Sequence, residues 1–499
     1  MCGIAGYYGK NIKGFVKYAN KILQSRGPDD WGYIKNEIDN ENEMCMVHRR
    51  LSIIDTTEKG KQPLVDATKR YSIVFNGEIY NYKELKYELM DKGYKFRSDT
   101  DTEVLLNMWV EHGIQCMEKL NGMYAFAIWD KVKQELQVIR DRMGIKPVFY
   151  GIYEGGIIFG SEIKAIIPFM DSVTSIKKRK IAQHLTYIWS PGPDTVFENI
   201  NSLEPGSVMI LDKYGNHRMD KWVKETGCLS KVQKMTKKTL IRETRKKLEE
   251  SIVRQMVSDV PIGSFLSGGL DSSAIAYFLK TQGVTNNFYT IDTGKEIDPG
   301  FPDDLVYARK VSDYLDINLV EVKTSSNDLI NNIEWMMSVL DQPIADPAIL
   351  NTYALCKRAN KDGIKVMLSG TGSDDIFGGY RRHKALKIRD MLKKLPKGLL
   401  IRVENLIKEM PNKTVIQRRL NKIMEKSWDS DDEYIMSLYE WCNKEQAIKL
   451  IAGHENIEMK GEDINHHLKN WLSKTDMKLS GLQKMLSIEQ RYFLSDHNL

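Results

Sequence analysis

The sequence predicts two joined architectures: an α+β part built on antiparallel sheet, then an α/β part built on a parallel sheet. Three observations point there. The first two hundred residues carry short apolar runs with hairpin-like punctuation, a polar, lysine-rich stretch from about Tyr214 to Lys238 interrupts them, and beyond it apolar runs alternate with glycine turns and helical patterns. A chain of 499 residues is also too long for one core, so two domains are expected, over 2–213 and 239–499.

In chain order, MCGIAGYYGK reads as a buried strand rather than a frayed end, because Ile4, Ala5, Tyr7 and Tyr8 are apolar or strand-forming and Gly3, Gly6 and Gly9 permit close backbone approach. YSIVFNGEIY, MYAFAIWD, ELQVIRD and GIIFGSE read as further strands, with a helix near Tyr82 to Lys92. After the connection, Leu240, Thr244, Leu248, Ile252 and Met256 recur every four residues on one helix face, which ends at Asp259-Val260-Pro261. The apolar run Ile262 to Leu266, then NFYTIDT and KVMLSGTG, repeat a strand-then-turn theme with helices between, the pattern of a parallel sheet that binds ligands at its strand C-termini. The last hundred residues read as helical.

Composition narrows the function. A charge of +6 over this length is mild, and the basic runs Lys177 to Lys180 and Lys393 to Lys397 read as solvated faces, so no nucleic-acid partner is expected. No run approaches the roughly 18 apolar residues of a membrane span, and no signal-peptide core precedes the first strand, so a cytoplasmic protein without a membrane partner is expected. Cys45, Cys116, Cys228, Cys356 and Cys442 lack paired spacing and read as inert small hydrophobes in a reducing compartment. His466-His467 does not make a metal-ligand pattern.

Cys2 stands apart. It is either a chance residue or a nucleophile: removal of the initiator methionine would leave it a free α-amine, of ordinary pKa roughly 7.7–8.0, able to act as general base for its own thiol. Beside strands lie RGPDDWG, HRRLSIID, FNGEIYN and SDTDTEV. Asn76-Gly77 is a hairpin turn or a pair of donors for an oxyanion formed when Cys2 attacks a carboxamide. Arg50 and Asp101 offer opposite charges to a zwitterionic amino acid. Farther on, FLSGGLDSS (Phe265 to Ser273) sets Ser267, Gly268, Gly269, Ser272 and Ser273 between strand and helix, where free N–H groups, hydroxyls and a helix N-terminus suit phosphate. Asp271 would repel bare phosphate and makes sense as a Mg²⁺ ligand, with Asp374 of LSGTGSDDIFGGY completing the metal site. The bland alternative is a capped glycine-serine turn.

MCGIAG, RGPD, HRRLSI, NGEIYN and RDRMGIKP resemble the class II glutamine amidotransferases, and SGGLDSS with LSGTGSDDIFGGY resembles the synthetase domain of the glutamine-hydrolysing asparagine synthetase family. The resemblance runs from residue 2 to near Leu499. It implies an N-terminal nucleophile hydrolase sandwich followed by a PP-loop ATP pyrophosphatase-type domain. It also implies Cys2 as nucleophile, Asn76 and Gly77 as oxyanion hole, and Arg50, Asn76, Gly77, Glu78 and Asp101 around glutamine. Leu266, Ile291, Ser369 and Gly370 match ATP-contacting positions beside the phosphate loop. The implied reaction adenylates the aspartate side chain with ATP and Mg²⁺, releases pyrophosphate, and gives asparagine and AMP when ammonia attacks.

Two departures qualify the resemblance. Thr371 and Asp375 stand where the family loop carries glutamates, and the chain stops at YFLSDHNL, inside what the family continues as a helix toward further acceptor and adenylation residues. These leave room for another carboxylate acceptor such as a sugar acid, for a glutaminase with a degenerate synthetase half, or for a non-catalytic second half. On this reading the chain alone hydrolyses glutamine and makes little asparagine, unless a homodimer mate or partner chain completes the site. A glucosamine-type amidotransferase is disfavoured, since its isomerase half would not contain SGGLDSS.

Overall fold

The structure is a computed structural model that describes residues 1–153, 155–170, 175–223, 235–294, 304–344, 346, 348–394, 396, 402, 423–424, 429–452, 463–475 and 479–498. The expectations that fall on Cys228, Lys397 and Leu499 lie outside them.

Twelve strands build the N-terminal part: β1 (Gly3–Lys10), β2 (Asp30–Glu37), β3 (Asn42–Arg50), β4 (Leu64–Val65), β5 (Tyr71–Ile79), β6 (Gly122–Asp130), β7 (Glu135–Arg140), β8 (Phe149–Tyr153), β9 (Gly156–Gly160), β10 (Ile200–Ser202), β11 (Ser207–Leu211) and β12 (His217–Lys221). They form two six-stranded sheets, ordered β10-β8-β9-β1-β3-β2 and β12-β11-β7-β6-β5-β4, with antiparallel pairing throughout. The alternation of β1 decides how they stack. Ile4 and Tyr8 point inward, where with Met44 and Met46 they meet Val74, Ala127, Trp129 and Val138 of the other sheet. Ala5 and Tyr7 point outward, onto Phe15 and Ala19 of the helix Phe15–Ile22. On the far side of the second sheet, Ile73 and Phe75 pack under Leu85, Leu89, Leu105 and Trp109 of the helices Tyr82–Asp91 and Asp101–His112. The result is a four-layer α-β-β-α sandwich, and the expected buried strand at the terminus lies within its first sheet.

Four parallel strands follow: β13 (Ile262–Phe265), β14 (Phe288–Asp292), β15 (Leu319–Lys323) and β16 (Val366–Leu368), in the order β15-β14-β13-β16. Leu266, Ile275, Ala276, Leu279 and Ala308 bury the flanking helices against them. The last helices form a separate cluster, with Tyr434, Leu468, Met485, Ile488 and Tyr492 at its centre. The helix Gly481–Ile488 widens into a π-helical segment over Glu489–Asn498, so the expected helix does run on into YFLSDHNL.

Three features depart from the sequence reading. Within the stretch read as connection, β12 adds an edge strand to the second sheet past position 213, across a hairpin closed by Gly215 N–H donating to Asp212 O at 3.0 Å. Its five side chains are all exposed, so it lacks the alternation that marks a strand. The helix Lys178–Tyr187 packs with the C-terminal helices, through Ala182, Tyr187 and the following Trp189. Leu240 is exposed, and the helix Lys237–Arg254 buries chiefly Ile252 near its C-terminal end. Cys45 and Cys116 are buried as expected, whereas Cys356 is exposed. Among the described residues no helix is long and apolar enough to cross a membrane.

Direct contacts join the two parts. Asp259, just before β13, accepts Asp55 N–H on Oδ2 at 2.7 Å and donates its own N–H to Ile53 O at 3.0 Å. Lys365, just before β16, pairs with Asp29 at 2.8 Å, and Asp341 Oδ2 accepts Ile163 N–H at 2.6 Å.

Candidate active site

Cys2 directly precedes β1, at the end of a central strand of the first sheet, and the Leu51–Thr57 loop after β3 closes over it. Leu51 N–H donates to Cys2 Sγ at 3.4 Å, the thiol faces Leu51 O at 3.7 Å, and Arg26 Nε donates to Cys2 O at 3.0 Å. Burial pushes the thiol pKa up, against the Leu51 N–H, the terminal amine and Arg50, which favour the thiolate. Such a thiol needs a base. The α-amine beside it, here that of Met1, is lowered to about 6, first by burial and then by Arg26 and Lys146.

Asn76 and Gly77, late in β5, line the same pocket. Asn76 is buried, yet neither atom of its side-chain amide has a hydrogen-bond partner among the described residues. Unmade hydrogen bonds at a buried amide are costly, so a donor left free beside a nucleophile is a site prepared for an oxygen. Glu78 and Asp101 supply the carboxylates. Burial pushes Glu78 up to about 7, with Lys146 opposing, and pushes Asp101 up to about 6 although its Oδ2 accepts Ile79 N–H at 3.0 Å. Arg50 is more occupied than its sequence role requires: it donates to Thr57 O at 2.8 Å, Ile54 O at 3.2 Å and Asp55 O, shaping the loop that walls the pocket. A guanidinium has five N–H donors, so two remain for a ligand carboxylate.

The pocket brings all six residues expected around glutamine together with Met1, and about 50 Å³ stays open among them. Sequence reasoning did not single out Leu51, Gln62, Thr102 or Lys146 in this wall, though Lys146 sits in the quoted RDRMGIKP. A larger cavity of about 500 Å³, lined by Tyr71, Trp109, Met117, Val208 and Trp222 among others, holds none of the expected site residues.

In the C-terminal part, β13 leads through Leu266 to Gly269 into the helix Leu270–Thr281, the strand-loop-helix order that aims N–H groups at an anion. Gly268 has φ +73°, and a Cβ there would lie 2.4 Å from the Tyr307 carbonyl carbon. Ser272 Oγ ties the loop by accepting Ser267 N–H at 3.2 Å, and Ser273 Oγ donates to Gly269 O at 2.7 Å. The loop after β16 comes alongside: a Cβ on Gly370 would sit 3.0 Å from Asp271 Cβ. Leu266 N–H is held by Tyr289 O at 2.8 Å, and Ile291, next to last in β14, and Ser369, just after β16, lie toward the C-terminal ends of these parallel strands. Burial, then the Asp374 charge, raises the Asp271 carboxyl pKa, so the two expected metal ligands repel one another. Mg²⁺ commonly takes one or two protein carboxylates plus phosphate oxygens and water, and this pair fits it. Thr371 shares a 2.7 Å hydroxyl contact with Ser369, and buried Asp375 is raised to about 6 by its surroundings while Tyr380 OH donates to it at 3.1 Å.

Fold and sites together define a thiol-nucleophile hydrolase sandwich coupled to a nucleotide-loop domain. Residues 1–223 match the glutamine amidotransferase domain family, and residues 243–499 match the asparagine synthase family. Glutamine-hydrolysing asparagine synthetase 1 of Bacillus subtilis is 33% identical over 477 residues, covering 93% of this chain and 71% of that protein. A putative glutamine-hydrolysing asparagine synthetase 2 of Methanocaldococcus jannaschii is 34% identical over 422 residues, covering 80% of each. Among solved structures, the B. subtilis glutamine phosphoribosylpyrophosphate amidotransferase aligns over 62% of this chain and 70% of its own, at 17% identity and a TM-score of 0.35. The chain belongs to the glutamine-hydrolysing asparagine synthetase family.

Proposed function

We propose that this chain is an ATP-dependent, glutamine-hydrolysing amide ligase that converts aspartate to asparagine. The observation that carries the reading is the unpartnered Asn76 amide buried in one pocket with Cys2. With Met1 removed, the Cys2 amine takes the thiol proton and the thiolate attacks the glutamine carboxamide carbon. Asn76 Nδ2–H and Gly77 N–H receive the oxyanion, ammonia leaves, and water releases glutamate from the thioester. Arg50 takes the substrate α-carboxylate; Glu78 and Asp101 take its ammonium.

In the second part, Ser267 to Ser273 and Ser369-Gly370 hold ATP, with Leu266 and Ile291 beside the nucleoside. Asp271 and Asp374 would hold Mg²⁺, which supplies charge neutralisation at the phosphates. The aspartate side-chain carboxylate attacks the α-phosphorus, pyrophosphate departs, and ammonia displaces AMP. The expected domains, 2–213 and 239–499, divide this labour, with the first extended through β12 to Lys221, and the free cysteines suit a reducing cytoplasm.

Glutamate, pyrophosphate and asparagine, measured together, test the reading. Against the expectation of little asparagine, which rested on Thr371, Asp375 and the end at YFLSDHNL, the family match over residues 243–499 leads us to expect all three products from the unsubstituted chain, and Cys2→Ala to lose glutamate formation while keeping ammonia-driven synthesis. Glutamate release by Cys2→Ala at the unsubstituted rate would remove Cys2 from the mechanism.

A further inference from the structure

One charged group in the glutamine pocket has no part in the reaction just described. Lys146 is 6% exposed, lines the pocket with Cys2, Asn76 and Glu78, and its ammonium makes no hydrogen bond to a described residue. Its backbone is fixed: Lys146 N–H donates to Asp141 Oδ2 at 2.9 Å, and Arg140 Nε donates to Lys146 O at 3.0 Å. Arg140 Nη2 also bonds Gly144 O at 2.7 Å, so the whole RDRMGIKP turn is braced to aim this side chain. Elsewhere a buried lysine is satisfied. Lys180 donates to Pro191 O and pairs with Asp194 at 3.7 Å. Among the described residues Lys146 has no such partner, and its ammonium is left to act on the charges around the pocket it lines.

Those charges can be named. Lys146 faces Glu78 on β5, Arg26 after the first helix, Asp141 after β7, and the Cys2 thiol and terminal amine at the head of β1. Glu78 faces Asp101 as well, and Arg50 acts on both Asp101 and Cys2. We propose that Lys146 is a positioning residue of the glutamine site: its ammonium is the counter-charge to the Glu78 carboxylate in the pocket that both line. The inference rests on the glutamine reading above.

The effect has one sign. Burial drives Glu78 toward its neutral acid, and Lys146 is the first charge opposing that drift; without it, Glu78 stays protonated to higher pH. That change inactivates the acid side of the profile.

The test is the pH dependence of glutaminase kcat/KM in the unsubstituted chain, Lys146→Met and Lys146→Arg, with thermal unfolding measured alongside. In Lys146→Met the acid limb should move up by about one pH unit, with KM for glutamine rising more than kcat falls, while Lys146→Arg keeps the original limb. An unmoved limb in folded, active Lys146→Met overturns the inference and leaves the glutamine reading standing. Should Lys146→Met not fold, Lys146→Gln is read by the same criterion. Absence of glutamine hydrolysis in the unsubstituted chain overturns the glutamine reading, and this inference with it.

Discussion

Asn76 shows how much a single residue can reveal and how much stays hidden until the chain folds. Its place beside Gly77 near a strand end is visible in FNGEIYN, and so is the reason to suspect an oxyanion site. That both its amide atoms lie buried without partners is a property of β5 and β3 meeting the loop over Cys2, and no local pattern encodes it. Removing one such donor typically costs about 10²–10³ in kcat. Asn76→Ala should therefore lose glutaminase kcat by about that factor with KM for glutamine little changed, as steady-state glutamate release would show; an equal loss in KM would make Asn76 a ground-state contact. Arg50 is the opposite case: its charge is visible in HRRLSIID, but its bonds to Thr57, Ile54 and Asp55 carbonyls are not, since they depend on a loop curling back on the strand that carries it. The carboxyls set the pH response. Glu78 near 7 and Asp101 near 6 must be ionised to hold the ammonium of the proposed substrate. Both conditions fail in the same direction, so glutaminase kcat/KM should fall as pH drops through 7 and steepen below 6. A profile flat from pH 8 to 5 would exclude these groups.

At the level of elements, the phosphate loop was the most legible piece, because strand, glycines, hydroxyls and helix follow one another within twenty residues. Gly268 is its least replaceable member. A side chain there meets both a left-handed φ of +73° and the Tyr307 backbone at 2.4 Å. Forcing a non-glycine residue into that region costs about 1–3 kcal/mol before the clash is counted. Gly268→Ala should abolish ATP-dependent pyrophosphate release and leave glutamine hydrolysis at or near its unsubstituted rate, since the Cys2 pocket lies in the N-terminal sandwich and Gly268 beside the parallel sheet. Parallel loss of both activities would mean that the loop supports the whole fold. Other elements could not be read so locally. β12 carries only exposed side chains, Met219 among four polar ones, on a sheet edge. The helix Lys178–Tyr187 finds its partners at Tyr434, Leu468 and Tyr492, more than two hundred residues downstream.

Across the whole molecule, the junction follows the sheet. β13 and β16 are neighbours, and the residues just before them, Asp259 and Lys365, hold the glutamine-pocket side through Asp55, Ile53 and Asp29. Asp29 Oδ2 in turn accepts Ser52 N–H at 2.8 Å, next to the Leu51 that bonds the Cys2 thiol. The opposite ends of the same two strands carry the loops proposed to hold ATP. A four-residue strand spans about 13 Å, so the wall of one site and the floor of the other share a short, stiff strut. Lys365→Ala removes a half-exposed ion pair worth at most about 1 kcal/mol, so unfolding temperature should barely move, while the response of glutaminase rate to ATP and aspartate should weaken. An unchanged response would make the pair mere surface contact. The consequence of that strut is one of stoichiometry. If it ties the two catalytic cycles, each glutamine consumed is matched by one pyrophosphate released, and cutting it lets nitrogen drain away as free ammonia while ATP sits unspent; the ratio of the two products, counted in a single tube, is a direct gauge of how firmly two strands rest against one loop.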